Sequence, residues 1–207
     1  TYPLLISLSF LPHSVLYILS DFLSYFLYRV VKFRLKVVRK NLRLCFPKKS
    51  IIEIKELEKK FYVHFSDLMV EMIKNFSISK NEMLRRYKFK NIDLINTEEK
   101  KGKSTILLLG HFSNWEGMLT IGSHLIGNSY GIYTPLTNKF FERKMTESRE
   151  KYGSFLLSRY KTYDFIKSMK NSKDYGLFGF IGDQSPKKES KSYLRTFMGV
   201  KVPVFTG

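Results

Sequence analysis

Ser104-Thr-Ile-Leu-Leu-Leu-Gly-His-Phe-Ser-Asn-Trp-Glu-Gly117 is the stretch whose reading decides the fold. Ile106 to Leu109 are apolar without exception, a pattern that suits a strand buried on both faces of a parallel sheet. Gly110 punctuates the run. His111 then falls at the strand's C-terminal end, where open α/β sheets place their ligands. Asn114 takes the N-cap position of a helix predicted from Trp115 to about Leu125. Glu116 lies in that helix's first turn, five residues after His111. A base and a carboxylate therefore flank one tight turn, an arrangement that selects an imidazole tautomer and aims its free nitrogen at a substrate. The same residues have a structural use as well. A strand-end His often only hydrogen-bonds its surroundings, and a first-turn Glu is favoured by the helix dipole alone.

Outward from this stretch the apolar runs repeat. Tyr130–Thr134 is a second strand, ending in Tyr133-Thr-Pro-Leu-Thr-Asn138. A helix over Lys139–Tyr152 follows, with Gly153 at its end. Ser154–Leu157 is a short strand and Tyr163–Asn171 a further helix. Tyr175–Ile181 is another apolar strand, and Gly182-Asp-Gln-Ser-Pro186 again sets polar groups, Asp183 and Gln184, at a strand's carboxyl end. Arg149 and Arg159 each offer a fork suited to a phosphate, although an Arg in so basic a chain is also an ordinary solvated charge. Lys187, Lys188, Lys191 and Arg195 read as an anion-binding loop.

Toward the N-terminus, Ser50-Ile-Ile-Glu53 and Ser79-Lys-Asn-Glu82 are capping boxes that open helices. In the first of these, Ile54, Leu57, Phe61, Phe65, Leu68, Met72 and Phe76 recur at helical spacing and read as the buried stripe. Phe89–Ile95 alternates like a strand, and Asn96–Lys103 reads as a helix or loop leading to the central strand. Residues 1–28 are the most lipid-like part, with no formal charge from Thr1 to Ser20 and one interruption at Asp21. They lack the purity of a spanning helix, and the features of a signal peptide. An embedded or interfacial helix pair is expected, with an apolar helix of a soluble core as its competitor. A basic run without acids follows, from Arg29 through Lys32, Arg34, Lys36, Arg39, Lys40 and Arg43, interleaved with Val and Leu. Such a stretch suits anionic headgroups, with an ordinary solvated helix face as the alternative, and its place after the apolar segment puts it on the cytoplasmic side by positive-inside logic.

Composition supports this division. The 207 residues hold 36 Lys+Arg against 18 Asp+Glu, a formal charge of +18. That surface calls for an anionic partner. No nucleic-acid motif claims the charge. The single cysteine, Cys45, excludes a disulfide framework and a cysteine-rich zinc site, and no Walker loop, dinucleotide fingerprint, metal-ligand spacing or internal repeat occurs.

Gly110-His-Phe-Ser-Asn-Trp-Glu116 resembles the catalytic block of the lipid A biosynthesis acyltransferases, the bacterial late acyltransferases related to glycerolipid acyltransferases. Further stretches resemble that family in order: Leu11-Pro12, Arg39–Pro47, Pro135-Leu-Thr-Asn138, Arg149 before Gly153, Asp183-Gln184, and Phe197-Met-Gly199 with Val202–Gly207. The resemblance implies an α/β fold, a glycerolipid-acyltransferase-like mixed sheet flanked by helices, preceded by a membrane-associating helical region. Residues 1–48 are expected to form that region and 49–207 the α/β domain with its leading helices. Family members continue beyond this point, so a missing C-terminal part is expected. The resemblance further implies His111 as general base and Glu116 as its partner, with Arg149, Asp183 and Gln184 near the substrate, and Asn114 and Arg159 are expected beside them from their places in the chain. It implies no metal and no cofactor. The implied donor is acyl carrier protein and the acceptor a lipid A precursor or related glycolipid, at the cytoplasmic face of the bacterial inner membrane. Two other readings stay open: a phospholipid or other glycolipid acyltransferase of the same superfamily, and a non-catalytic membrane-surface protein. A thioesterase would use the same base without an acceptor.

Overall fold

The computed structural model describes residues 2–172, 174–184, 186 and 192–205. The chain forms two compact units, Thr1–Ser77 with Ser185–Gly207, and Ile78–Gln184. The first unit runs on to Ser77 because the long helix after the basic run packs on the helices before it.

The first unit holds α1 (Tyr2–Ser9), α2 (His13–Tyr25) with a π-helical turn (Phe26–Val30), α3 (Leu35–Cys45) and α4 (Ile51–Lys74). Ser50 and Glu53 form the complete capping box that starts α4. Lys32 and Arg34 take left-handed φ values of 53° and 50°, and the chain turns by 94° between His13–Val30 and Leu35–Cys45. Among the described residues no single helix is long and apolar enough to cross a membrane, whereas this bent pair passes on length and composition together. The unit also holds the hairpin β5 (Ser192–Phe197) and β6 (Val200–Phe205), strands numbered after the four described below. Met198 and Gly199 make its two-residue turn with φ of 51° and 76°, the positive pair that such hairpins require.

Inside this unit polar side chains share the buried faces of the helices with apolar ones. The buried stripe of α4 is Ile54, Glu58, Tyr62, Ser66 and Val70; of the apolar stripe expected, Ile54 is buried, Leu57, Phe65, Leu68 and Phe76 are half-buried, and Phe61 and Met72 are exposed. The buried face of α2 is Leu16, Ser20 and Ser24, while Phe22 on its other face is 71% exposed. Hydrogen bonds admit Ser20 and Glu58. Ser20 Oγ donates to Asp67 Oδ1 and Tyr17 to Glu71 Oε1, both at 2.7 Å. Arg39 grips the fully buried Glu58 through Nε at 2.5 Å and a second nitrogen at 3.0 Å, and Tyr28 adds a bond to the same carboxylate. Lys74 donates to the carbonyls of Ser9 and Leu11, which α1 leaves open at its end.

The second unit contains α5 (Lys80–Arg86), α6 (Asp93–Lys100), β1 (Thr105–Leu109), a 3-10 segment (Trp115–His124), β2 (Asn128–Tyr133), α7 (Lys139–Glu150), β3 (Phe155–Ser158), α8 (Thr162–Ser172) and β4 (Gly176–Ile181). The sheet order is β1-β4-β2-β3, and every pair is parallel. The expected mixed sheet is thus a parallel sheet, with antiparallel pairing confined to the separate hairpin. Leu177 and Phe178 of β4 are fully buried, and Tyr130 of β2 lies between Phe178 and Phe165 of α8.

Three expectations change here. β1 is an edge strand, not one buried on both faces: its burial alternates, with Ile106 and Leu108 on one face 65% and 76% exposed and Thr105, Leu107 and Leu109 on the other half-buried. The strand expected at Phe89–Ile95 is absent. Asn91 adopts φ 59°, and Asp93 opens α6, with an acid in its first turn and Lys100 in its last. The helix expected after Asn114 is 3-10 in form. Its Gly117, Thr120, Ile121, Gly122 and Ser123 are weak α-helix formers.

Candidate active site

Two neighbouring parallel strands end alike. Leu109 of β1 pairs with Ile181 of β4, a glycine follows each, and Gly182 N–H donates to Leu109 O at 3.0 Å. His111 and Asp183 therefore leave the sheet side by side. The backbone N–H of His111 donates to Asp183 Oδ2 at 2.7 Å, and its ring Nδ1 lies 2.6 Å from Asp183 Oδ1. A carboxylate only accepts, so Nδ1 carries a proton, and in the neutral imidazole the lone pair lies on Nε2. Gly110 gives the carboxylate room: a Cβ there would stand 3.2 Å from Asp183 Oδ2. Partial desolvation pushes the Asp183 carboxyl up, but the bonds from the His111 backbone and ring together outweigh it and hold the carboxyl below its usual range.

The turn beyond His111 is tight. Phe112 N–H donates to Gly110 O, Ser113 takes φ 51°, and Trp115 N–H donates to Ser113 O. The Trp115 indole stands edge-on to the His111 ring, with centroids 4.8 Å apart and planes at 82°. Asn114 occupies the boundary of the 3-10 segment, but its side chain makes no cap there. Its carbonyl instead accepts the Tyr87 hydroxyl at 2.5 Å.

Glu116 does not meet His111. Its buried carboxylate is gripped by Arg149 of α7, through Nε at 2.8 Å and a second nitrogen at 2.5 Å. Five residues of strand end, turn and 3-10 helix carry Glu116 to the inner side of the turn, where the last turn of α7 meets it. The Arg149 fork expected for a phosphate is thus engaged with protein. Glu142, also on α7, accepts the Tyr133 hydroxyl and the Leu136 N–H, which fixes the Pro135-Leu136 turn at the end of β2. Asn138 caps α7 by accepting from the N–H groups of Phe140 and Phe141. Arg159 is exposed beyond β3, its N–H bonded to Tyr133 O and its guanidinium over the Tyr160 ring. Gln184 is exposed next to Asp183. Lys187, Lys188 and Lys191 lie outside the described residues, and Arg195 is on β5. Among the described residues no group of three His, Cys, Asp or Glu side chains is placed to hold a metal ion.

The sequence pattern brings His111 and Asp183 to the same end of the sheet, but their pairing is decided across 72 residues of chain. The signal available was the shared ending, an apolar run, a glycine, then a titratable residue. Trp115 as the wall of the imidazole and Tyr87 as a prop of the turn carried no such signal.

The arrangement supplies an oriented imidazole with one nitrogen held by a carboxylate and the other open, at the carboxyl end of parallel strands. Comparison with curated protein sequences finds no match. The family model described as bacterial lipid A biosynthesis acyltransferase matches residues 2–203. The chain therefore belongs to the bacterial lipid A biosynthesis acyltransferase family.

Proposed function

We propose that this chain moves a fatty acyl group from the thioester of acyl carrier protein to a hydroxyl of a lipid A precursor, with His111 as general base and Asp183 as the group that orients it. The observation carrying this reading is the double contact of Asp183 with the His111 backbone and ring. His111 Nε2 takes the proton of the acceptor hydroxyl as its oxygen attacks the thioester carbonyl. The carbon–sulfur bond then breaks, and the departing thiolate takes the proton back from the imidazolium. Ester and free thiol result, and no acyl-enzyme is needed. Asp183 stabilises the imidazolium while it exists. Glu116 serves the reaction through its bond to Arg149, which holds the turn, and not as the partner of His111.

The protein works at the cytoplasmic face of the bacterial inner membrane in this reading. The outward apolar face of α2 and the π-helical turn, with Phe22, Phe26 and Val30 exposed, enters the lipid interface. Arg29, Lys32, Lys36, Lys40 and Arg43 meet anionic headgroups. The remaining positive surface receives the acidic carrier protein.

The test is an acyl-transfer assay in membranes with labelled acyl carrier protein and either a lipid A precursor or a lysophospholipid as acceptor. Transfer to the lipid A precursor alone is expected. Transfer to lysophospholipid keeps the chemistry and changes the acceptor. Release of free fatty acid without an acceptor means thioesterase activity. An intact protein that binds vesicles and transfers nothing is a membrane-surface binding protein.

A further inference from the structure

We propose that Tyr87 is a positioning residue for His111, acting through Asn114 and Trp115; the inference rests on the reading of His111 as the base. Tyr87 follows α5 directly, and its hydroxyl donates to the Asn114 carbonyl. Its ring fills the space over Gly117, where an added Cβ would fall 1.9 Å from Tyr87 Cζ. Gly117 is bare because the ring needs that room. Behind Tyr87 lies the buried cluster of Ile78, Met83 and Tyr152, with Leu119 against it. The side chain therefore stands on the core at one end and grips the turn at the other.

The gripped carbonyl belongs to the peptide that leads into Trp115. Fixing that plane fixes the direction in which the indole departs, and the indole stands edge-on to the imidazole. Asp183 fixes the ring at Nδ1, and Trp115 limits its rotation about that bond. Loss of the Tyr87 hydroxyl frees the peptide, and with it the wall against which His111 is set. Asp183 is the charged group in contact with the imidazole, whereas Arg149 is bonded to Glu116.

Trp115 is the single tryptophan of the sequence, so its fluorescence reports this contact. A protonated imidazole quenches an adjacent indole, which gives a pH-dependent step. The experiment compares the 207-residue chain with Tyr87→Phe, Tyr87→Leu and His111→Ala, all in detergent micelles, by fluorescence against pH, thermal melting and acyl transfer. His111→Ala abolishes the step. Tyr87→Phe keeps the ring over Gly117, and its melting midpoint stays near wild type. It loses about half of the step or more, and about tenfold or more of kcat, with KM for the acyl donor nearly unchanged. Tyr87→Leu shares the loss of kcat and also melts lower. A Tyr87→Phe protein with wild-type kcat and a full step overturns the proposal, as does one whose activity falls only with its folded fraction. If wild type transfers no acyl group, the acyl-transfer reading fails, while the fluorescence arm still decides the role of Tyr87 in setting the imidazole.

Discussion

His111 is held at two atoms by one carboxylate, and at the scale of single residues the proposed acid–base roles rest on that contact. An Asp183→Asn substitution keeps the shape of the side chain but loses the charge that stabilises an imidazolium. It should lower kcat by about 100-fold at pH 7, because positioned acid–base catalysis is worth roughly 10²–10⁴-fold. The substitution also has a pH signature in stability. Burial works to raise the Asp183 carboxyl, but its bonds from His111 win and its pKa lies below the usual value. A depressed folded pKa means a contribution present above the unfolded value, about 3.9, and lost as pH falls through the folded one. Urea midpoints of the wild type should therefore fall more steeply below about pH 4 than those of Asp183→Asn. The place of His111 at the end of a strand was legible in the local sequence. Its partner was not: Glu116 has the right spacing and chemistry, yet Arg149 claims it across a tertiary contact that no local pattern encodes.

At the scale of elements, the instructive case is the pair α2 and α4. Helical spacing in α4 pointed to Phe61 and Met72 as core positions, and both are exposed. The interior instead takes Glu58 and Ser66, and α2 buries Ser20 and Ser24. The partners that admit these polar groups, Asp67 for Ser20 and Arg39 for Glu58, lie on other helices, so periodicity within one helix does not reveal them. The polar interior depends on satisfied pairs. Arg39→Ala leaves the carboxylate of Glu58 buried without its main partner and should destabilise the first unit by about 3 kcal/mol, read from chemical denaturation. The apolar runs of β2, β3 and β4 were legible within a residue or two. Phe89–Ile95 failed because alternation over so few residues is weak, and Asn91 breaks it with a left-handed φ of 59°.

At the scale of the whole molecule, charge and surface polarity belong together. A chain with a formal charge of +18 also exposes Phe10, Phe22, Phe26, Val30 and Val31 on its first unit. Exposed apolar surface of this kind marks an interaction face. Phe22 and Phe26 are 71% and 50% exposed, and replacing both by Glu leaves the buried Leu16, Ser20 and Ser24 of α2 in place. It removes roughly 2 kcal/mol of apolar transfer per ring, so binding to anionic vesicles should fall about 100-fold or more in a sedimentation assay, with melting unchanged. High salt should weaken wild-type binding to anionic vesicles and leave binding to neutral ones nearly unaffected. The α/β class was legible because the strand-forming runs stand out against a polar chain. The order β1-β4-β2-β3 was not, since it depends on which way each crossover returns and not on the composition of the strands.

The most direct measurement is acyl transfer from labelled acyl carrier protein to a lipid A precursor, run in membranes with wild type and His111→Ala side by side. The expected result is transfer by wild type and a loss of about 100-fold or more in His111→Ala, with vesicle binding and folding retained. Equal transfer by the two proteins would contradict the assignment of His111 as the base.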